Sequence, residues 1–203
     1  NSGSGSGGIL GLRGTNTFAG GVTIQSGGVV GVARDAGTNS NLGTGAVTVN
    51  AGGVLRPGYQ VSSNANTSTT PNNITLDGGA IYADDAHQHL GGAVDVVTSG
   101  ILGSTYNSGA NTAAEGDKGL ALDGVVSGSG PLTVQHTRIG TGNTYHTSFV
   151  SFSNNSNTYS GTITVNENTT ANEGGVYLGV NGSTALQHAT IVTAAIPGAN
   201  LRF

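Results

Sequence analysis

The chain has 203 residues, 37 of them Gly, with no Cys, Met or Trp and only 8% charged residues. Six Lys/Arg against ten Asp/Glu leave a formal charge of -4, and Arg13, Arg34, Arg56, Lys118, Arg138 and Arg202 are scattered. Nucleic acid and anionic membrane surfaces, which need clustered cations, are therefore excluded as partners, as are disulfide frameworks and thiol chemistry. Membrane insertion by this segment is not expected, because no apolar run approaches the roughly 20 residues of a spanning helix.

In chain order, the spacing predicts short strands at 9–12, 21–25, 29–32, 46–50, 54–56, 74–76, 80–82, 93–97, 120–122, 131–135, 149–152, 162–166, 176–180, 189–193 and 199–203. Each is a brief run in which Val, Ile, Leu or Ala alternates with small polar residues, the period of an extended chain with one buried face. Gly recurs too often for helices, and no long window shows apolar spacing of three and four. Gly-Gly, Ser-Gly, Asn-Gly and Asp-Gly steps between the runs supply the positive φ values of tight turns. Three polar stretches, 59–73, 106–118 and 137–145, read as excursions from this regularity.

The chain also repeats itself. Asn16-Thr17-Phe18-Ala19-Gly20-Gly21-Val22-Thr23-Ile24 returns as Asn157-Thr158-Tyr159-Ser160-Gly161-Thr162-Ile163-Thr164-Val165. Gly27-Gly28-Val29 returns loosely as Gly174-Gly175-Val176, and Leu42 to Arg56 has its counterpart in Leu186 to Arg202. Lead-ins precede both copies, Ser4-Gly5-Ser6-Gly7 and Ser127-Gly128-Ser129-Gly130. Repeated turn-plus-short-strand units stack as coils, so the expected fold is all-β, a parallel β-helix, with an antiparallel β-sandwich as the alternative. At about 4.8 Å per coil, the expectation is about nine coils and a rod near 40 Å long. One solenoid domain is expected over 1–203, with repeats 4–56 and 127–203 flanking an irregular region, 57–126.

Asp84-Asp85-Ala86-His87-Gln88-His89 is the densest set of potential ligands. In extended backbone His87 and His89 point the same way, so with Asp84 or Asp85 they form a candidate site for zinc, copper or nickel. An exposed polar turn is the competing reading, and no cofactor is expected. Asp77, Asp84, Asp85 and Asp95 raise a second possibility, a polysaccharide-acting enzyme with paired carboxylates. No Lys or Arg stands between Arg56 and Lys118 and no Trp is present to stack on sugar, so the balance is against catalysis. The Gly-rich stretch 14–21 lacks the Gly-Lys-Ser/Thr step of a phosphate loop. Sequons such as Asn181-Gly182-Ser183 are matched by chance in a chain this rich in Asn, Ser and Thr.

Ser-Gly-Ser-Gly-x-Leu-x-Val, then Asn-Thr-Tyr-Ser-Gly-x-Ile-Thr-Val, then Leu-Gly-x-Gly-x-Val-x-Val-Asn-x-Gly-Gly-x-Leu resembles the autotransporter-associated β-strand repeat of large bacterial surface proteins. The resemblance covers 4–56 and 127–203 well and 72–126 loosely. It implies a right-handed parallel β-helix, export across the outer membrane and a scaffold, adhesive or transport-assisting role at the cell surface. The Cys-free, Lys-poor composition fits an exported protein. The chain's first residues have neither the basic nor the apolar region of a signal peptide, and its start looks like the interior of an array. The expected role is non-catalytic and structural, with glycan or matrix ligands on the polar excursions or self-association through the solenoid ends.

Overall fold

Short runs separated by turns leave each strand only three to five residues long, too few to bury a face alone. The computed structural model satisfies them by stacking. It describes residues 8–32, 41–59, 68–84, 88–104, 119–135, 148–166, 176–193 and 199–202, all of them strand, turn or irregular. The strands lie in three sheets.

Sheet A holds eight strands: β1 (Ile9–Leu12), β3 (Val29–Val32), β5 (Val54–Pro57), β8 (Ala80–Ala83), β11 (Gly100–Ser104), β14 (Leu132–Gln135), β16 (Thr162–Asn166) and β18 (Thr190–Thr193). Sheet B holds β2 (Val22–Ile24), β4 (Val47–Asn50), β7 (Ile74–Asp77), β10 (Val94–Val96) and β13 (Val126–Gly128). Sheet C holds β6 (Ser68–Thr70), β9 (Gln88–Leu90), β12 (Leu120–Leu122), β15 (Ser148–Phe152), β17 (Val176–Val180) and β19 (Ala199–Arg202). Every strand pairing among the described residues is parallel. Antiparallel hairpins, and with them the sandwich, are ruled out. The fold is a parallel β-helix.

Eight strands of sheet A mean eight coils rather than nine, because the coils are longer than expected. Ile9 pairs with Val29, a coil of 20 residues, but Gly100 pairs with Leu132, a coil of 32. The core is a set of columns running along the rod. On sheet A, Val30, Leu55, Ile81, Leu102, Val134 and Val165 stack in one column and are buried. Val47 and Val49, Ile74 and Leu76, and Val94 and Val96 face them from sheet B. Leu90, Leu120, Leu122, Val150, Phe152, Val176 and Leu178 face them from sheet C. Each such side chain contributes roughly 1.5–3 kcal/mol by leaving water.

The three corners differ. From sheet B to sheet A the chain takes two to four residues, and from β6, β9 and β12 into sheet B it takes three each time. At the first corner Gly28 N donates to Gln25 O at 2.8 Å and Gly53 N to Asn50 O at 2.8 Å, closing four-residue turns whose third residues, Gly27 and Gly52, have φ of 77°. The third corner carries all the variation. Segments 33–40, 60–67, 85–87, 105–118, 136–147, 167–175 and 194–198, outside the described residues, all leave at or within two residues of the end of a sheet A strand. All but the first lead into a sheet C strand, and they range from 3 to 14 residues.

Two sequence expectations change. The polar excursion at 59–73 is partly core: Ser68–Thr70 is strand β6, Thr70 and Asn72 are buried, and Tyr59 is half-buried. As the outermost described strand of sheet C, β6 needs to match only β9, and Ser68 hydrogen-bonds the buried Gln88 there. The excursions at 106–118 and 137–145 lie outside the described residues. The two sequence copies, moreover, are out of phase by one face. Val22–Ile24 of the first copy is in sheet B, whereas its counterpart in Thr162–Asn166 is in sheet A; Val29–Val32 is in sheet A, whereas Val176–Val180 is in sheet C.

Candidate functional site

What survives this phase shift is the recurring Asn. Asn16 Nδ2 donates to Asn41 O at 2.7 Å, and Asn157 Nδ2 donates to Ala185 O at 2.8 Å. Both acceptors are the residue just before the equivalent Leu42 and Leu186. Asn157 Oδ1 also accepts from Val126 N at 2.7 Å, so this buried amide ties three successive coils. Asn72 Nδ2 makes the same kind of clamp to Gly45 O at 2.8 Å and Gly43 O at 3.1 Å. Where strands are interrupted, buried carbonyls and amides need such partners.

Next to this clamp, Tyr159 is buried and its hydroxyl donates to Gly130 O at 2.8 Å, with Thr162 O at 3.0 Å. Burial pushes its pKa from 10.0 up to about 12, partly offset by a backbone hydrogen bond. The first copy has Phe18 here, 38% exposed and without the hydroxyl.

Of the candidate ligands, Asp84 and His89 are described, and each has a partner of its own. Asp84 follows β8 on sheet A, and its carboxylate forms a fork with Arg56: Nε to Oδ1 at 2.9 Å and Nη2 to Oδ2 at 2.8 Å. The two side chains are only 11% and 7% exposed, and the Arg56 guanidinium lies 4.9 Å from the Tyr59 ring centroid. This cluster ties the coil of β5 to that of β8. His89 sits on sheet C, where its Nδ1 lies 2.5 Å from Asp123 Oδ2. Ser153 Oγ donates to Asp123 Oδ1 at 2.8 Å, so a carboxylate bridges His and Ser. A nucleophilic triad needs the imidazole between the other two groups. Asp85 and His87 lie outside the described residues. Among the described residues no three His, Cys, Asp or Glu side chains gather as a metal set.

The carboxylates of sheet B come closer to an arrangement. Asp95 pairs in register with Thr75, which puts Asp77 two residues on and on the same outer face. Both already accept hydrogen bonds from hydroxyls of a neighbouring coil: Thr98 to Asp77 at 2.8 Å and Ser127 to Asp95 at 2.9 Å. Alongside them Thr23, Thr48 and Thr75 stack in one row, and Asn50 Nδ2 donates to Gln25 Oε1 at 3.0 Å. Sequence reasoning took Arg56 for one scattered cation and did not find the Arg56–Asp84–Tyr59 cluster. The 28-residue offset of Arg56 and Asp84, close to one coil, was the only signal for it.

No protein-family model, characterised protein or solved structure matches the chain.

Proposed function

We propose that this chain is a non-catalytic β-helical scaffold, a stalk segment of a bacterial surface protein of the autotransporter-passenger kind. It acts outside the cell and presents ligand-binding connections along one edge. The observation that carries this reading is the asymmetry of the corners. Two are held at two to four residues, while the third takes between 4 and 15 residues from a sheet A strand to the next sheet C strand. Loops on a rigid frame are where binding residues concentrate. The polar clusters support the same reading, since Asn16, Asn72, Asn157, Arg56–Asp84, Asp77–Thr98 and Asp95–Ser127 all join one coil to another.

The ligands we propose for these polar connections, which carry charges of both signs such as Glu115, Asp117, Lys118 and Arg138, are glycans or extracellular matrix. The test replaces 105–118 and 136–147 with short Asn/Gly/Ser linkers and assays binding to a glycan and matrix panel. Unchanged melting with lost binding is the expected result. Binding that survives both replacements, or polysaccharide cleavage that disappears in Asp77→Asn and Asp95→Asn, overturns the proposal in favour of a site on the sheets.

A further inference from the structure

The sequence contains one Asn-Gly step, Asn181-Gly182, immediately after β17. Packing explains the glycine. A Cβ at 182 would lie 2.5 Å from Asn155 Oδ1 and 2.9 Å from Ser153 O of the coil before. The turn therefore admits only a residue without a side chain, and that residue leaves the main-chain nitrogen next to Asn181 unshielded.

Whether such a nitrogen can react depends on its hydrogen bond, and three comparable steps differ in this. In Asp77-Gly78 the glycine N donates to Ser99 O at 2.9 Å, and in Asp123-Gly124 it donates to Leu90 O at 3.0 Å. Both carboxylates are held as well, by Thr98 Oγ1 at 2.8 Å and by Ser153 Oγ at 2.8 Å. Among the described residues Gly182 N meets no acceptor and the Asn181 side chain no partner, and Asn181 is exposed. By contrast, the side chains of Asn16, Asn50, Asn72, Asn154, Asn155 and Asn157 are all hydrogen-bonded to another coil.

We infer that Asn181 is a site of spontaneous covalent modification, deamidation through a cyclic imide. Hydroxide takes the Gly182 N proton, the nitrogen attacks Asn181 Cγ, the Cγ–Nδ2 bond breaks and ammonia leaves. Water then opens the five-membered ring. Addition at Cγ gives aspartate with the main chain restored. Addition at the Asn181 main-chain carbonyl gives isoaspartate, whose chain runs through Cβ and Cγ. Either product gains a negative charge. The isoaspartyl form also inserts a methylene ahead of Thr184, whose N and Oγ1 donate to Asn155 Oδ1 at 3.1 Å and Asn155 O at 3.0 Å. Ala185, whose carbonyl holds Asn157 Nδ2, is displaced with it. The modification thus loosens the ties between two coils, whatever the rod binds.

Peptide mapping of the native chain, held at mildly alkaline pH and body temperature, tests it. The peptide carrying Asn181 should gain one dalton, with one equivalent of ammonia released, before any other described Asn changes. Isoaspartate-specific enzymatic methylation should mark the product. Asp77 and Asp123 should isomerise only in the guanidinium-unfolded chain. Asn181→Gln, which would have to close a six-membered ring, should stay unmodified and keep its melting temperature through the same incubation, while that of the wild type falls. Three results overturn the proposal: a native chain that keeps the Asn181 amide while the unfolded chain loses it, isoaspartate forming as fast at Asp77 or Asp123 of the native chain, or Asn181→Gln losing stability in parallel with the wild type.

Discussion

At Gly27 the backbone has a φ of 77°, and an added Cβ would meet nothing within 4 Å. At Gly53 the φ is ordinary, but a Cβ would lie 2.6 Å from Ile24 O of the adjoining coil. These two glycines, from successive Gly-Gly corners, are thus needed for different reasons, Gly27 for conformation and Gly53 for clearance, and they respond differently to substitution. Gly27→Asn should cost only a few tenths of a kcal/mol, because Asn tolerates the left-handed region, and Gly27→Ala about 1 kcal/mol. Gly53→Ala should cost about 2–3 kcal/mol, because backbone must move to admit it. Urea midpoints at unchanged slope will rank them. Tyr159 gives a prediction in pH. Its folded-state pKa of about 12 exceeds the unfolded value of 10.0, so the unfolded chain loses this proton first. Stability from this group is complete below pH 10 and falls between about 10 and 12, by about 2 kcal/mol. Tyr159→Phe should cost about 1 kcal/mol at neutral pH, from the unmet Gly130 carbonyl, and lose that part of the alkaline slope. Equilibrium unfolding of both proteins across this range will show whether the slope belongs to Tyr159.

Among the elements, the polar clamps do the work that disulfides or metals do elsewhere. Removing Asp84 leaves Arg56 buried without its counterion, so Asp84→Ala should lose about 3–5 kcal/mol, whereas the double change Arg56→Leu with Asp84→Leu should recover most of it. Thermal midpoints of the three proteins form the comparison. Asn157→Ala strips partners from Val126 N and Ala185 O together and should cost about 2–3 kcal/mol. How far such features can be read in advance depends on what the sequence pattern encodes. Val47-Thr48-Val49-Asn50 and Leu132-Thr133-Val134-Gln135 alternate plainly, and the strands expected there are present within a residue. Ser68–Thr70 and Gln88–Leu90 do not alternate in polarity, since Ser68 and Gln88 satisfy each other inside the stack, and pairing with an adjacent coil makes them strands. Gly100–Ser104 and Val126–Gly128 were hidden by the glycine and serine that otherwise mark turns. The repeat disclosed a solenoid but not its phase, because the motif encodes a clamp and a strand and leaves open which face the strand joins. Asp84 and His89 are five apart in sequence yet belong to different sheets with different partners, and only the coil length decides that.

Over the whole molecule, the connections leaving sheet A vary in length while the stack beside them keeps its register. Shortening 105–118 to the three-residue length of 85–87 should therefore shift the melting temperature by only a few degrees, because loop closure depends weakly on length. Deleting Gly52 and Gly53 from the Asn50–Gly53 corner, by contrast, should unfold the coil, because it removes the closing turn. The parallel ladders have a further consequence, which concerns force. Their hydrogen bonds point along the rod, so tension between its two ends does not load them side by side. Each coil bears the load in turn, and the outermost gives way while the rest hold. Stretched by its termini, the molecule should yield in a train of small events, each freeing the 20 to 32 residues of one coil, about 70–110 Å of chain. A rod of this kind should absorb strain and shorten again when released, one coil re-templating on the next.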